Sequence, residues 1–188
     1  MNIAIFGASG RVGRLTAIEA LQRGHSVIGV IHSAKSLSMI ANNPSITPLM
    51  KSRLELRQAD VHNAQTVANS IKGCQAVISA LGSWGTPSKD IVASGMRTII
   101  PAMKKENINR IVSLTGTEAY DKDDTPDLAR RLAHAAASIA AGRILQDGEE
   151  HIKAAASETV ESFFAQSATS PGFALRSALP ATRRATRR

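Results

Sequence analysis

Gly7-Ala8-Ser9-Gly10-Arg11-Val12-Gly13 follows the apolar run Asn2-Ile3-Ala4-Ile5-Phe6 and opens an amphipathic segment. The run reads as a strand buried on both faces. From Arg11 to Arg23, the residues Val12, Leu15, Ala17, Ile18 and Leu21 recur near the 3.6-residue period, which predicts a helix; Gly24 sits at its expected stop. Between strand and helix each glycine has its own task. Gly7 permits the tight turn, Gly10 admits a pyrophosphate close to the backbone, and Gly13 lets the helix pack against the sheet. The free N–H groups at the helix start then face anionic phosphates. Ser26 to Ile31 supplies a second strand, so the unit spans about 30 residues, as a βαβ crossover requires. This pattern predicts a dinucleotide site built on Gly7, Ser9, Gly10, Arg11, Val12 and Gly13.

Working outward, the period keeps alternating. Ser36 to Ala41 fits a short helix, and Asn42-Asn43-Pro44 and Thr47-Pro48 mark turns. Leu54 to Ala59 is a third strand, Asn63 to Ile71 a helix that Asn63 caps, and Gln75 to Leu81 a fourth strand. Ser88 to Lys105 reads as a long helix in which Pro101 predicts a kink or break. Asn109 to Leu114 is a fifth strand, and the polar stretch Thr115 to Pro126 a loop. Asp127 to about Phe164 is alanine-rich and predicts two helices divided near Gly142 or Gly148. Gly172 to Leu179 is expected as a sixth strand. The fold class expected is α/β, a Rossmann-type doubly wound parallel sheet whose C-terminal part is shortened or atypical. We expect one NAD(P)-binding domain over residues 1–179, and a basic, disordered tail over 180–188.

Composition narrows the classes. The 188 residues suit one domain, and a hydrophobic fraction of 43% is ordinary for a globular chain. No apolar run approaches the roughly 18 residues of a membrane span. Met1 to Phe6 reads as a strand rather than a signal peptide. With a single cysteine, Cys74, no disulfide framework or cysteine-rich zinc site is available, and no metal is expected. Packing is the expected role of Cys74, and cytoplasmic is the default location. The net charge of +8 is mostly a tail property: all 15 acidic residues precede Arg176, and five of the 23 basic ones lie from there onward. With aromatics at 3%, nucleic-acid binding is disfavoured.

The GxxGxxG spacing resembles the atypical branch of the short-chain dehydrogenase/reductase superfamily. Gln58-Ala59-Asp60-Val61, Lys72-Gly73-Cys74-Gln75-Ala76-Val77-Ile78 and Ile111-Val112-Ser113-Leu114-Thr115 match it further. Together these motifs, over about residues 1 to 155, are similar to NAD(P)H-binding proteins that include flavin and biliverdin-IXβ reductases and NmrA-like regulators. The resemblance fails toward the end. Related chains continue with a strand reading W-T-V-x-R-P, for which Phe173 to Ser177 is a displaced version at best. A truncated or frameshifted end is one reading of that change in composition.

The end of the second strand bears on cofactor choice. An NAD site usually places Asp or Glu there for the ribose 2′-OH. Here His32, Ser33 and Lys35 occupy the place, with Arg11 nearby in the glycine loop, and they suit a 2′-phosphate. NADP is therefore the expected cofactor, with NAD the alternative. By resemblance, Asp60 would accept from the adenine amino group and Val61 would lie along its ring; an acidic residue at a helix N-terminus is the plainer reading. Ala80, Leu81, Gly82 and Ser83 end the fourth strand, at the carboxyl edge where such ligands sit. Trp84, in the loop beyond, anchors that loop or closes over a flat substrate.

The Tyr–Lys dyad of many short-chain reductases is absent: position 124, four residues after Tyr120, is Asp. Ser113 and Thr115, on the fifth strand, are the catalytic candidates, with strand-end capping as the plainer role. His151 and Lys153 lie in a helical segment that, in the resembled families, reaches the active site; a lone helical histidine is more often a surface or packed residue. Hydride transfer to a flat acceptor needs mainly position and electrostatics from the protein. Three readings stand: an NADP-dependent reductase of a small conjugated acceptor such as a flavin, an NmrA-like regulator that senses cofactor and engages a protein partner, and a degenerate Rossmann domain.

Overall fold

The computed structural model describes residues 1–33, 40, 42–83, 88–115, 128–156, 161–166 and 175–178. Strand β1 (Asn2–Phe6) is buried along all but its first residue, as its unbroken apolar sequence requires. Helix α1 (Arg11–Gln22) crosses over to β2 (Ser26–Ile31), and Gly24, with φ +84°, turns the chain between them. A single turn, α2 (Pro48–Lys51), is capped by Thr47, whose side chain accepts from the Met50 amide. Then come β3 (Leu54–Gln58), α3 (Ala64–Ser70) and β4 (Ala76–Ser79). As the sequence predicts, Asn63 caps α3, its side chain accepting from the Gln65 and Thr66 amides.

Helix α4 (Ile91–Lys105) runs through Pro101, so of the expected kink or break the break does not occur. Pro101 is exposed, while Ile99, Ile100, Ala102 and Met103 beside it are buried. That apolar burial offsets the loss of one backbone hydrogen bond on the solvent side. The helix also starts three residues later than the expected Ser88. Strand β5 (Arg110–Thr115) and helix α5 (Leu128–Ala156) follow, then β6 (Glu161–Gln166) and β7 (Leu175–Ala178).

The C-terminal third departs from expectation in two ways. Residues 128–156 form one run of helix rather than two. Yet the His134 ring nitrogen Nε2 lies 3.1 Å from Glu149 Oε1. A straight helix separates residues fifteen apart by about 22 Å, so the axis turns sharply between them, an interval that includes Gly142. Second, Glu161–Gln166, whose first four residues fall in the stretch expected as helix, is the sixth strand and pairs in parallel with β5. The segment anticipated as the sixth strand contributes β7, antiparallel on the edge. Alanine-rich sequence hides this boundary, because alanine favours helix whichever residues follow.

The sheet has the order β3-β2-β1-β4-β5-β6-β7. Its pairings are parallel except the last, with helices on both faces. One core layer gathers Phe6, Val77, Met96, Ile99, Met103 and Ile111; the other gathers Ile5, Ala17, Leu21, Val27 and Ile40. This is a doubly wound Rossmann-type α/β fold. The strand order reverses between β1 and β4, so the crevice outside their carboxyl ends is where a ligand belongs. Among the described residues, no helix is long and apolar enough to cross a membrane.

Candidate functional site

At that crevice the glycine loop is shaped by close backbone approach. Gly7 has φ +72°, and a Cβ on it would stand 2.7 Å from the Ala80 carbonyl oxygen. A Cβ on Gly13 would lie 2.1 Å from the Gly7 carbonyl oxygen. Only glycine permits α1 to begin so tightly against the loop. The loop is tied to both neighbours: the Ala8 amide donates to Val30 at 3.4 Å, and the Ala80 amide donates to Phe6 at 3.0 Å. The Gly10 amide donates to the Gly7 carbonyl at 2.9 Å, closing the turn.

The mouth of α1 is open. Gly10 occupies the N-cap with no side-chain hydrogen bond, and the first turn contains no acidic residue. Its first amides therefore lack the acceptor that Ser, Thr or Asp would bring. Ser9 is half-buried, and Gly10, Arg11 and Val12 are exposed around this mouth, while Gly13 is buried beneath it. A helix N-terminus without its own cap, bordered by a guanidinium, suits a phosphate. The residues fit a dinucleotide: exposed Gly10 puts no side chain over the mouth, and the donors are backbone amides.

The rim is uneven. His32 is exposed and Ser33 half-buried at the end of β2, and Gln58 Nε2 donates to the His32 carbonyl at 3.1 Å. Lys35 lies outside the described residues, as do Trp84, Tyr120 and Asp124. Asp60 is exposed, and its Oδ1 accepts from the His62 amide at 3.0 Å in a local turn. Val61 is only 7% exposed and packs into the core, with its carbonyl accepting from Thr98 Oγ1 at 2.7 Å. Past β4, Ala80 and Leu81 are half-buried and Gly82 is exposed, with open space where a Cβ would stand.

Helix α5 completes the floor with two buried polar residues one turn apart. The Asp147 carboxylate accepts from the Ala93 amide at 2.7 Å and the Val92 amide at 3.2 Å, and Ser83 also donates to it. Asp147 therefore caps α4 from another helix, while the nominal cap Asp90 is engaged with Ser88 and Ser94. Those bonds hold the Asp90 carboxyl below the usual carboxylate range. His151 reaches β5, with Nε2 2.8 Å from Ser113 Oγ. Burial pushes the His151 pKa down to about 4, so the ring is neutral at physiological pH. Ser113 is likewise buried, its hydroxyl engaged by His151; Thr115 is described only as the last residue of β5, opposite Gln166. Asp147 escaped the sequence reading; the available signal was its spacing of four from His151, which places both on one helix face. Cys74 is buried, and desolvation raises its thiol pKa to about 11, which makes it a packing residue.

Residues 7–162 match the family described as NAD(P)H-binding, and the chain belongs to it. A curated relative, the UPF0659 protein YMR090W of Saccharomyces cerevisiae, is 24% identical over 130 residues, which are 65% of this chain and 54% of that protein. The match thus spans about half the length of that relative. The solved structure of ChuY, an anaerobillin reductase from Escherichia coli O157:H7, superposes with a TM-score of 0.69 at 19% identity over 88% of this chain and 72% of that one. A Veillonella parvula short-chain dehydrogenase/reductase in complex with NADP gives 0.63 at 14% identity, over 88% and 68%. The Bordetella bronchiseptica enzyme WbmH in complex with NAD+ gives 0.64 at 16%, over 88% and 55%. At such identities the likeness to solved structures shows the fold.

Proposed function

We propose that this member of the NAD(P)H-binding family is an NADP-dependent oxidoreductase that reduces a small conjugated acceptor such as a flavin. The observation that carries the reading is the uncapped mouth of α1, drawn tight against its loop by Gly7 and Gly13, exposed without a side chain at Gly10 and bordered by Arg11. Gly10 to Gly13 would hold the pyrophosphate through backbone amides. Arg11, His32 and Ser33 would meet the 2′-phosphate, since none of them repels an anion. Gly82, exposed past β4, would leave room for the nicotinamide end. The bound cofactor supplies hydride chemistry, and the chain supplies position and a dry floor. The floor is dry because Ser83, Ser113, Asp147 and His151 are all buried.

One observation favours a second reading. Ser113 is fully buried against His151, so its hydroxyl is not presented to an acceptor. That arrangement suits an NmrA-like regulator, which binds cofactor and passes the state of α5 to a protein partner. Fluorescence titration with NADPH and NADH, followed by a flavin-reduction assay, decides between them. Tighter binding of NADPH with turnover supports the reductase. Tight NADPH binding with no turnover of several acceptors replaces it with the regulator, and no binding of either cofactor ends both readings.

A further inference from the structure

Beside the start of α4, at the carboxyl edge of the sheet, lies a cleft of about 470 Å³, lined by Lys89, Asp90, Arg143, Gln146, Asp147 and Glu150, with Ser88. Its volume falls in the range of small-molecule sites. Asp147 is a wall shared with the candidate cofactor site, because its carboxylate also accepts from Ser83, the neighbour of Gly82. A molecule in the cleft therefore lies close to the end of β4.

The cleft's charges are not equally available to such a molecule. Asp147 is taken up by the Val92 and Ala93 amides, and Asp90 by the Ser88 and Ser94 hydroxyls. Glu150 accepts from Arg97 and from Gln146 Nε2. Arg143 is exposed, and among the described residues no acid pairs with it. A guanidinium is a planar fork of donors suited to a phosphate or carboxylate.

Resting on the reductase reading above, we propose that this cleft is the acceptor site, and that Arg143 selects acceptors carrying an anionic group. Flavin mononucleotide and riboflavin share the isoalloxazine ring and differ by the phosphate, which makes them a matched pair of probes. Their binding to the full chain saturated with NADP+ is read by quenching of flavin fluorescence, without turnover. The mononucleotide is expected to bind about 10-fold tighter than riboflavin. Arg143→Ala removes that preference and leaves riboflavin within about twofold, whereas Arg143→Lys retains part of it. Arg131→Ala, an exposed arginine on the same helix and outside the cleft, changes neither. Equal affinity for the two flavins, or a preference that survives Arg143→Ala, overturns the inference and leaves the reductase reading standing. If NADP+ binds and neither flavin does, flavin is not the acceptor and both statements fall.

Discussion

The imidazole Nε2 of His151 lies 2.8 Å from the hydroxyl oxygen of Ser113, and neither residue is exposed. This bond joins α5 to β5 at the end of the sheet where the glycine cradle opens. Four residues earlier, Asp147 joins the same helix to α4 and to Ser83. Helix α5 is therefore held to β5, to the start of α4 and to Ser83 through buried side chains.

The first consequence is a pH dependence of stability. Unfolded His151 has an ordinary pKa of 6.5, and the folded value falls to about 4. Its contribution is complete above pH 6.5 and is lost as the pH drops toward 4, because the unfolded chain takes up the proton first. The loss is on the order of 3 kcal/mol. Urea unfolding of the wild type and His151→Asn at pH 8 and pH 4.5 reads it. The gap between the two proteins is expected to shrink at the lower pH, and a gap that stays constant rules the mechanism out.

Gly13→Ala tests the cradle. Its Cβ would meet the Gly7 carbonyl at 2.1 Å, so the loop or the helix must shift. A cost of about 1–3 kcal/mol is expected from overpacking, with loss of NADPH binding beyond what the lower stability explains. Binding that persists with wild-type affinity at a temperature where the variant is folded contradicts the assignment of the phosphate site.

Asp147→Ala leaves the buried Val92 and Ala93 amides without their acceptor. Each unsatisfied buried group costs about 1–3 kcal/mol, so this variant should rank among the most destabilising single changes on α5. Asp147→Asn keeps one acceptor oxygen and should retain part of the loss. Denaturant midpoints of the two variants check the order.

Arg11→Ala addresses cofactor choice. Arg11 is exposed at the mouth of α1 and its loss should not affect folding. The expected outcome is about 10-fold weaker NADPH binding with a smaller change for NADH, since the 2′-phosphate is the extra anion. Equal weakening for both cofactors would place Arg11 on the pyrophosphate instead.

Cys74 should be inert in the folded protein. With a thiol pKa near 11, its thiolate fraction at pH 7.5 is below about 0.1%. Thiol-reactive dye should label it slowly until denaturant is added; rapid native labelling would contradict the burial.

Much of this molecule was legible in order along the chain. Gly7, Gly10 and Gly13 announce the turn, and Asn63 and Gly24 mark helix ends, because backbone conformation and capping act between neighbours. Strands β1 and β2 showed themselves as unbroken apolar runs, because a strand buried on both faces has no polar side to show. Glu161–Gln166 did not, since its partner β5 is remote and nothing local separates it from the alanine-rich helix before it. His151 reads in sequence as a surface or packed residue, and it is buried against Ser113; Asp147 escaped that reading.

What the sequence determined by itself was the βαβ unit and the uncapped mouth of α1, both set by contacts within about thirty residues. Only the tertiary structure decided that α5 brings Asp147 to α4 and His151 to β5, and that Ser113 turns inward. Those bonds join residues 38 to 64 positions apart. No local propensity encodes them; they exist because packing excludes water and a buried polar group without a partner is costly.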